Sequence, residues 1–250
     1  MDKKIIISNY DWNLEWISMV YDYGFFSEDI IIYDRSKNLK DWSYIGKVIE
    51  TKNVGANQYD ILSYIVDNYE NLPDRMIFIK GNLLFNREKF YYTTEERFIS
   101  SLTSDGIFSI WVDKWLLNGD TRHLKNTKLE ILEDGRLNQP LCNCDFSKNS
   151  DFECRYFSNV NSLLKHFFIN PPLTNHIEFI PASNFAIDKK DILKYSKKFY
   201  FKIKHILDYL PNSKYISNVC AEAHLVERIF YYIWSKNLIE SDKINTINGI

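Results

Sequence analysis

The chain has 250 residues, 45% of them hydrophobic and 26% charged, which is enough apolar material for a large buried core and too much for a disordered or low-complexity segment. Its net charge of −2 gives no global attraction to a polyanion, so no nucleic-acid partner is expected. The eight glycines fall at 24, 46, 55, 81, 106, 119, 135 and 249, with no two inside a six-residue window. That spacing excludes the standard dinucleotide fingerprint, the P-loop and the nucleophile elbow, each of which needs clustered glycines so that backbone can approach a phosphate or turn sharply.

Lys3 and Lys4 are followed by only Ile5, Ile6 and Ile7 before polar residues return, which is too short for an export signal. No run approaches a membrane span. A cytoplasmic protein with reduced cysteines is expected, and peripheral membrane contact is left open.

In chain order, residues 4–8 read as a buried strand, after which Leu14, Trp16, Ile17 and Val20 trace a helix face. Residues 29–33 form a second apolar strand closed by Asp34, Arg35 and Ser36, which form turns. Asn53 to Asn57 lead into a helix carrying Ile61, Leu62, Ile65, Val66 and Tyr69, stopped by Asn71-Leu72-Pro73-Asp74. A third buried run, 76–79, ends at Lys80-Gly81-Asn82. Short strands alternating with amphipathic helices predict an α/β fold with a mainly parallel central sheet flanked by helices. Ligand sites in such sheets gather at the carboxyl ends of the strands.

The middle of the chain predicts a helix over 94–103, a strand near 107–112 and a polar stretch over 118–156. Cys142, Cys144 and Cys154 lie in that stretch, but their gaps do not suit a structural zinc site. A strand is expected over 177–180, and residues 181–187 run toward a helix capped by Asp188. Ile192, Tyr195, Phe199, Ile203, Ile206, Leu207 and Leu210 give that helix one long apolar stripe. Seven lysines between 189 and 204 crowd it and read as its solvated face, with a polyanionic partner or an anionic membrane surface as the second reading. A last helix over 220–236 buries Leu225, Ile229, Ile233 and Trp234, so the C-terminal part is helical.

Three segments carry a resemblance: 53–82 from Asn53-Val54-Gly55 to Ile77-Phe78-Ile79-Lys80-Gly81-Asn82, then Ser183-Asn184-Phe185-Ala186-Ile187, then Glu227-Arg228 before an aromatic run ending in Trp234. In that order the chain resembles a group of small glycosyltransferase-like proteins, found among surface-polysaccharide and viral sequences and related to the GT-A nucleotide-sugar transferases. The resemblance implies one GT-A-like domain over residues 1–250, with a nucleotide-sugar-binding half over about 1–115 and an acceptor half over about 116–250. It implies a nucleotide-sugar donor and a glycan or lipid-linked acceptor in surface polysaccharide synthesis. The donor would meet Asn9, Tyr10, Asp11, Asp34, Arg35, Asn53, Gly55, Asn57, Lys80, Asn82 and Asn184.

GT-A enzymes usually carry an Asp-x-Asp metal motif where this chain has Lys80-Gly81-Asn82, and no Asp-x-Asp occurs anywhere in it. Divalent metal use therefore stays open, since Lys80, Arg35, Arg228 or a helix N-terminus would serve equally to neutralise a departing diphosphate. The same absence supports an alternative, a non-catalytic carbohydrate- or protein-binding module on the same fold.

Sugar transfer also needs a group to take the acceptor's proton. Glu222, Glu227 and Arg228 are the expected catalytic residues, with His224, Asp11 and Glu178 as further candidates for the base. Glu222 is equally well placed as a favourable charge in a first helical turn, and Glu227 with Arg228 as a structural ion pair. Trp111 and Trp115 are the aromatic pair expected to stack on an acceptor sugar.

Overall fold

The computed structural model describes residues 1–37, 40–86, 89–90, 93–110, 128–131, 137–138, 155–157, 160–172, 176–178, 180, 183–209 and 221–241. Trp111, Trp115, the four cysteines and Pro211 lie outside the described residues, as does the bulk of the expected polar stretch.

The first strand, β1 (Lys3–Asn9), sends Ile5 and Ile7 into one core and Ile6 into the other, the alternation a pleated strand imposes. Its three isoleucines face apolar partners on both sides, which is why the run reads as continuous rather than alternating. On either side lie β2 (Ile30–Asp34) and β4 (Arg75–Lys80), both parallel to it, and β3 (Lys47–Glu50) extends the β2 edge in parallel. Beyond β4 come β11 (Phe185–Asp188) and β7 (Phe108–Ser109), giving the order β3-β2-β1-β4-β11-β7.

This sheet is mixed, not mainly parallel as expected, because β11 runs antiparallel to both neighbours. The chain re-enters the sheet at the carboxyl end of β4, where Asn184 Oδ1 accepts from Lys80 N at 2.8 Å, so from there it can only run backwards. Residues 185–188, expected as an approach to a helix, are thus a central strand. The expected strand near 177–180 is β10 (His176–Glu178), which joins β8 (Lys128–Ile131) and β9 (Leu137–Asn138) in a separate three-stranded sheet. Residues 84–86 and 89–90 form a two-stranded ribbon, β5 and β6.

Helices cover both faces. On one lie α1 (Ala56–Asn68), α3 (Val160–Phe167), α5 (Lys197–Ile206) and α6 (Ala221–Ser235), packed on Ile6, Tyr33, Met76, Phe78, Phe185 and Ile187. The other holds α2 (Glu95–Thr103), with Phe98 and Leu102 buried, and a nine-residue 3-10 helix over Glu15–Tyr23. That segment was expected as an ordinary helix. Its buried residues Ile17 and Val20, with Leu14 just before it, are spaced by three, and a 3-10 helix stacks residues three apart on one side. Gly24, at φ +80°, ends it.

The single long helix expected after Asp188 is two. A four-residue helix, α4 (Lys189–Ile192), stops before Ser196, whose hydroxyl accepts from Phe199 N at 3.1 Å and starts α5 anew. Asp188 is not used as a side-chain cap. Instead its carboxylate pairs with Arg75, which is 1% exposed, and accepts from Gly106 N at 2.8 Å. The remaining guanidinium N–H groups reach Ser101 O, Gly106 O and Ser104 Oγ, so this buried charge at the amino end of β4 is satisfied on every side. The last helix buries Leu225, Ile229, Ile233 and Trp234 as expected.

Candidate functional site

With β2 and β3 to one side of β1 and β4 to the other, the strand order reverses direction between β1 and β4. A crevice opens at such a reversal outside the carboxyl ends of the strands. Here it is a cleft of about 290 Å³, at the lower end of ligand-sized pockets. Ser8, Asn9, Tyr10 and Trp12 come from the end of β1, Arg35 from the end of β2, Lys80 and Asn82 from the end of β4, and Asn53, Ala56 and Asn57 from the start of α1.

Each element is held in place by buried polar contacts. Arg35 donates to Val54 O at 3.3 Å and Ala56 O at 2.8 Å and forms an ion pair with Asp60, one turn into α1. Asp60 is fully buried; burial pushes its carboxyl up to about 6, with Arg35 and the hydroxyls of Ser8 and Thr51 pulling the other way. Arg35 thereby pins the entry to α1, where Gly55 (φ +59°) and Ala56 (φ +51°) are both left-handed. Gly55 tolerates that conformation and also the approach of Leu207, 2.8 Å from where a Cβ would stand. Ala56 does not relish it; Asp11 (φ +58°) and Ser183 (φ +50°) are strained in the same way, all three beside the carboxyl ends of the central strands.

On the floor, Asp34 Oδ1 accepts from Ser36 N at 2.9 Å, from the Ser36 hydroxyl and from Asn9 Nδ2 at 3.4 Å. Ser36 Oγ in turn accepts from Asp11 N at 2.7 Å. Asn9 Oδ1 and Asp34 Oδ2 are buried and have no hydrogen-bond partner among the described residues. Close against Asn9 runs Gly81, where an added Cβ would come within 2.3 Å of Oδ1. Gly81→Ala should therefore push Asn9 out of place and destabilise the fold by about 1–3 kcal/mol. Thermal denaturation reads this directly, and an unchanged midpoint would mean that Asn9 turns aside freely.

Lys80 closes β4 with a half-buried side chain in the cleft. Burial depresses its pKa, the nearby Glu227 carboxylate opposes this, and the Arg35 guanidinium adds to it. Glu227 arrives on α6 with Arg228, whose Nη1 donates to Glu227 Oε2 at 3.3 Å and to His224 O at 2.7 Å. His224 Nδ1 lies 4.0 Å from Glu227 Oε2. Burial first, then Arg228, and to a lesser degree Lys80, push the imidazole down to about 4 against the pull of Glu227, so it is neutral at pH 7.

Of the expected donor-site residues, Asn9, Tyr10, Arg35, Asn53, Asn57, Lys80 and Asn82 line the cleft. Asp11, Asp34, Gly55 and Asn184 stand behind it as supports. Among the expected catalytic residues, Glu227 acts electrostatically on Lys80, and Arg228 is bonded to Glu227. Glu222 is elsewhere: fully buried, it accepts from Tyr156 N at 2.7 Å and from the Tyr209 hydroxyl, a packing role. Ser8, Trp12 and Asp60 were not foreseen. An acid in the middle of a helix otherwise buried from Asn57 to Val66 was the available signal for Asp60.

Chemically, the cleft offers two cations, the first turn of α1, four side-chain amides and two aromatic rings, with no carboxylate in its lining. Such a lining suits an anion with polar and planar parts. The end of β4, where the resemblance would put a metal motif, does not suit a divalent ion, because it presents the ammonium of Lys80 with the Arg35 guanidinium near enough to act on it. Among the described residues no group of three or more His, Cys, Asp or Glu is arranged to hold a metal.

The fold and cleft define an α/β protein with a cleft lined by Lys80 and Arg35 at a sheet switch point. Residues 5–246 match the family DUF3431, described as a protein of unknown function, and the chain belongs to that family. No curated protein and no solved structure matches it. No helix among the described residues is long and apolar enough to cross a membrane.

Proposed function

We propose that this protein is a glycosyltransferase of GT-A-like fold that moves a sugar from a nucleotide-sugar donor to a glycan or lipid-linked acceptor. The observation that carries the reading is the cleft itself, which sets Lys80, Arg35 and the start of α1 around one volume at the carboxyl ends of β1, β2 and β4. A nucleoside diphosphate matches this chemistry, since its two phosphates meet the cations and the helix N–H groups while its base has Tyr10 and Trp12 to stack on. As the bond from the anomeric carbon to the diphosphate oxygen breaks, the negative charge gathering on that oxygen is met by Lys80 and Arg35 without a metal. Glu227, electrostatically coupled to Lys80, is the group assigned to take the acceptor hydroxyl's proton.

The second reading, a binding module without turnover, is favoured by the absence of any Asp-x-Asp. One panel separates the two: thermal denaturation with nucleoside diphosphates and their sugars, with and without manganese, followed by an assay for release of the diphosphate. A ligand at a hundred times its dissociation constant stabilises by about 2.7 kcal/mol, which raises the midpoint of a chain of this size by about 5–10 °C. The expected result is such a shift with one nucleotide sugar, independent of manganese. No shift with any nucleotide ends the donor-site reading; a shift with no turnover on any acceptor selects the binding module.

A further inference from the structure

Seven lysines lie between residues 189 and 204 against one acid, Asp191, in a chain whose net charge is −2. The structure spreads them over α4, the turn after it and α5, and the inner side of the two helices (Ile192, Phe199, Tyr200, Ile203, Ile206) packs into the core. The outer side is not simply polar. Phe201 is 56% exposed and Leu193 44%, and close by Ile169 is 49% and Ile239 68% exposed.

Ile169 and Ile239 meet beside the start of α5. Ile169 N donates to Ile239 O at 2.9 Å, and the next residue, Glu240, accepts from the hydroxyl of Ser196, which starts α5, at 2.8 Å. The bordering acids offset only part of this charge: Asp188, paired with Arg75, also reaches Lys190 at 3.4 Å, Asp191 pairs with Lys194, Asp208 pairs with Lys52, and Glu240, bonded to Ser196, also acts on Lys202. Lys198 and Lys202 stand one turn apart and repel, and Lys202 is held below its ordinary pKa by burial first and by Lys198 next. Large apolar side chains set among crowded cations gain nothing in water. At a membrane surface both parts gain, the ammonium groups on headgroup phosphates and the apolar groups at the edge of the acyl region.

We propose that the α4–α5 face docks on a bilayer carrying anionic lipid headgroups, with Phe201 entering the boundary between headgroups and chains. The far end of α5 supports the placement, because Leu207 packs on Gly55 at the start of α1. Docking there brings the rim of the cleft to the membrane, where a lipid-linked acceptor presents its sugar. The acceptor clause rests on the function proposed above; the docking surface does not.

The test is sedimentation of the full chain with vesicles of phosphatidylcholine containing phosphatidylserine, against phosphatidylcholine alone, at low and high salt. Binding is expected only to the anionic vesicles and is expected to be released by salt. Each lysine at such a surface strengthens binding about fivefold, so K197E/K198E/K202E should weaken it by about a hundredfold or more. Phe201→Ser should weaken it about tenfold, through lost apolar burial alone. Both variants alter exposed or half-buried side chains outside the cleft, so nucleotide-induced stabilisation should stay as in the parent protein, and failure of docking is distinguishable from failure of the donor site. No sedimentation with anionic vesicles, or sedimentation unchanged in either variant, overturns the proposal. So does retention by RNA in place of vesicles, which would assign the face to a polymeric anion.

Discussion

On the proposed function, Lys80→Met is expected to lower turnover by about a hundred- to a thousandfold, the usual loss when one group that meets developing charge is removed. Methionine keeps the volume and the apolar stem, so the loss is that of the charge. Stability should not fall, because the ammonium is penalised by burial and repelled by Arg35, with Glu227 as its compensating neighbour. The informative pattern is a collapse in kcat with a smaller change in KM and no decrease in midpoint temperature, since the diphosphate carries more charge on the leaving oxygen in the transition state than in the ground state. Turnover unchanged in Lys80→Met would sink the metal-free mechanism.

Asp60→Asn is expected to produce the largest loss of stability. The substitution keeps shape but removes the only carboxylate paired with Arg35 among the described residues, leaving a guanidinium with 6% side-chain exposure beside Lys80. Stripping one partner from a buried ion pair costs about 3–5 kcal/mol, here a fall of about 6–20 °C in the midpoint. A midpoint within 2 °C or so of the parent protein would show that Arg35 finds another acceptor and that the pair does not hold the entry to α1.

Much of the sheet was legible in the chain. Ile5-Ile6-Ile7, Ile30-Ile31-Ile32 and Met76-Ile77-Phe78-Ile79 are buried on both faces, and such strands announce themselves as unbroken apolar runs. The polar residues that end them marked the cleft for the same reason, since Asn9, Arg35 and Lys80 have no packing purpose at those positions. What escaped was long-range. Phe185 to Asp188 is apolar enough for a strand, but its direction is set by where the chain returns, at Asn184 against Lys80, which no local pattern records. Glu222 and Glu227 look alike in sequence, five apart on one helix; only packing turns the first onto Tyr156 and Tyr209 and the second toward Lys80. The break in the lysine-rich helix was available in Ser196, a good cap, but the continuous apolar stripe through Tyr195 and Phe199 masked it.

The position of β11 has a consequence for synthesis. Its residues 185–188 pair with β4 at residues 75–78, so the strand that covers one whole side of the cleft-bearing sheet is made more than a hundred residues after its partner. Until then β4 is an unprotected edge, apolar on both faces and free to pair with another nascent chain. The Arg75–Asp188 ion pair sits at that same late junction, so the buried guanidinium of Arg75 also waits for its carboxylate. A ribosome-bound or truncated N-terminal portion is therefore the aggregation-prone species of this protein, and the cleft-bearing sheet is complete only when β11 has closed on β4.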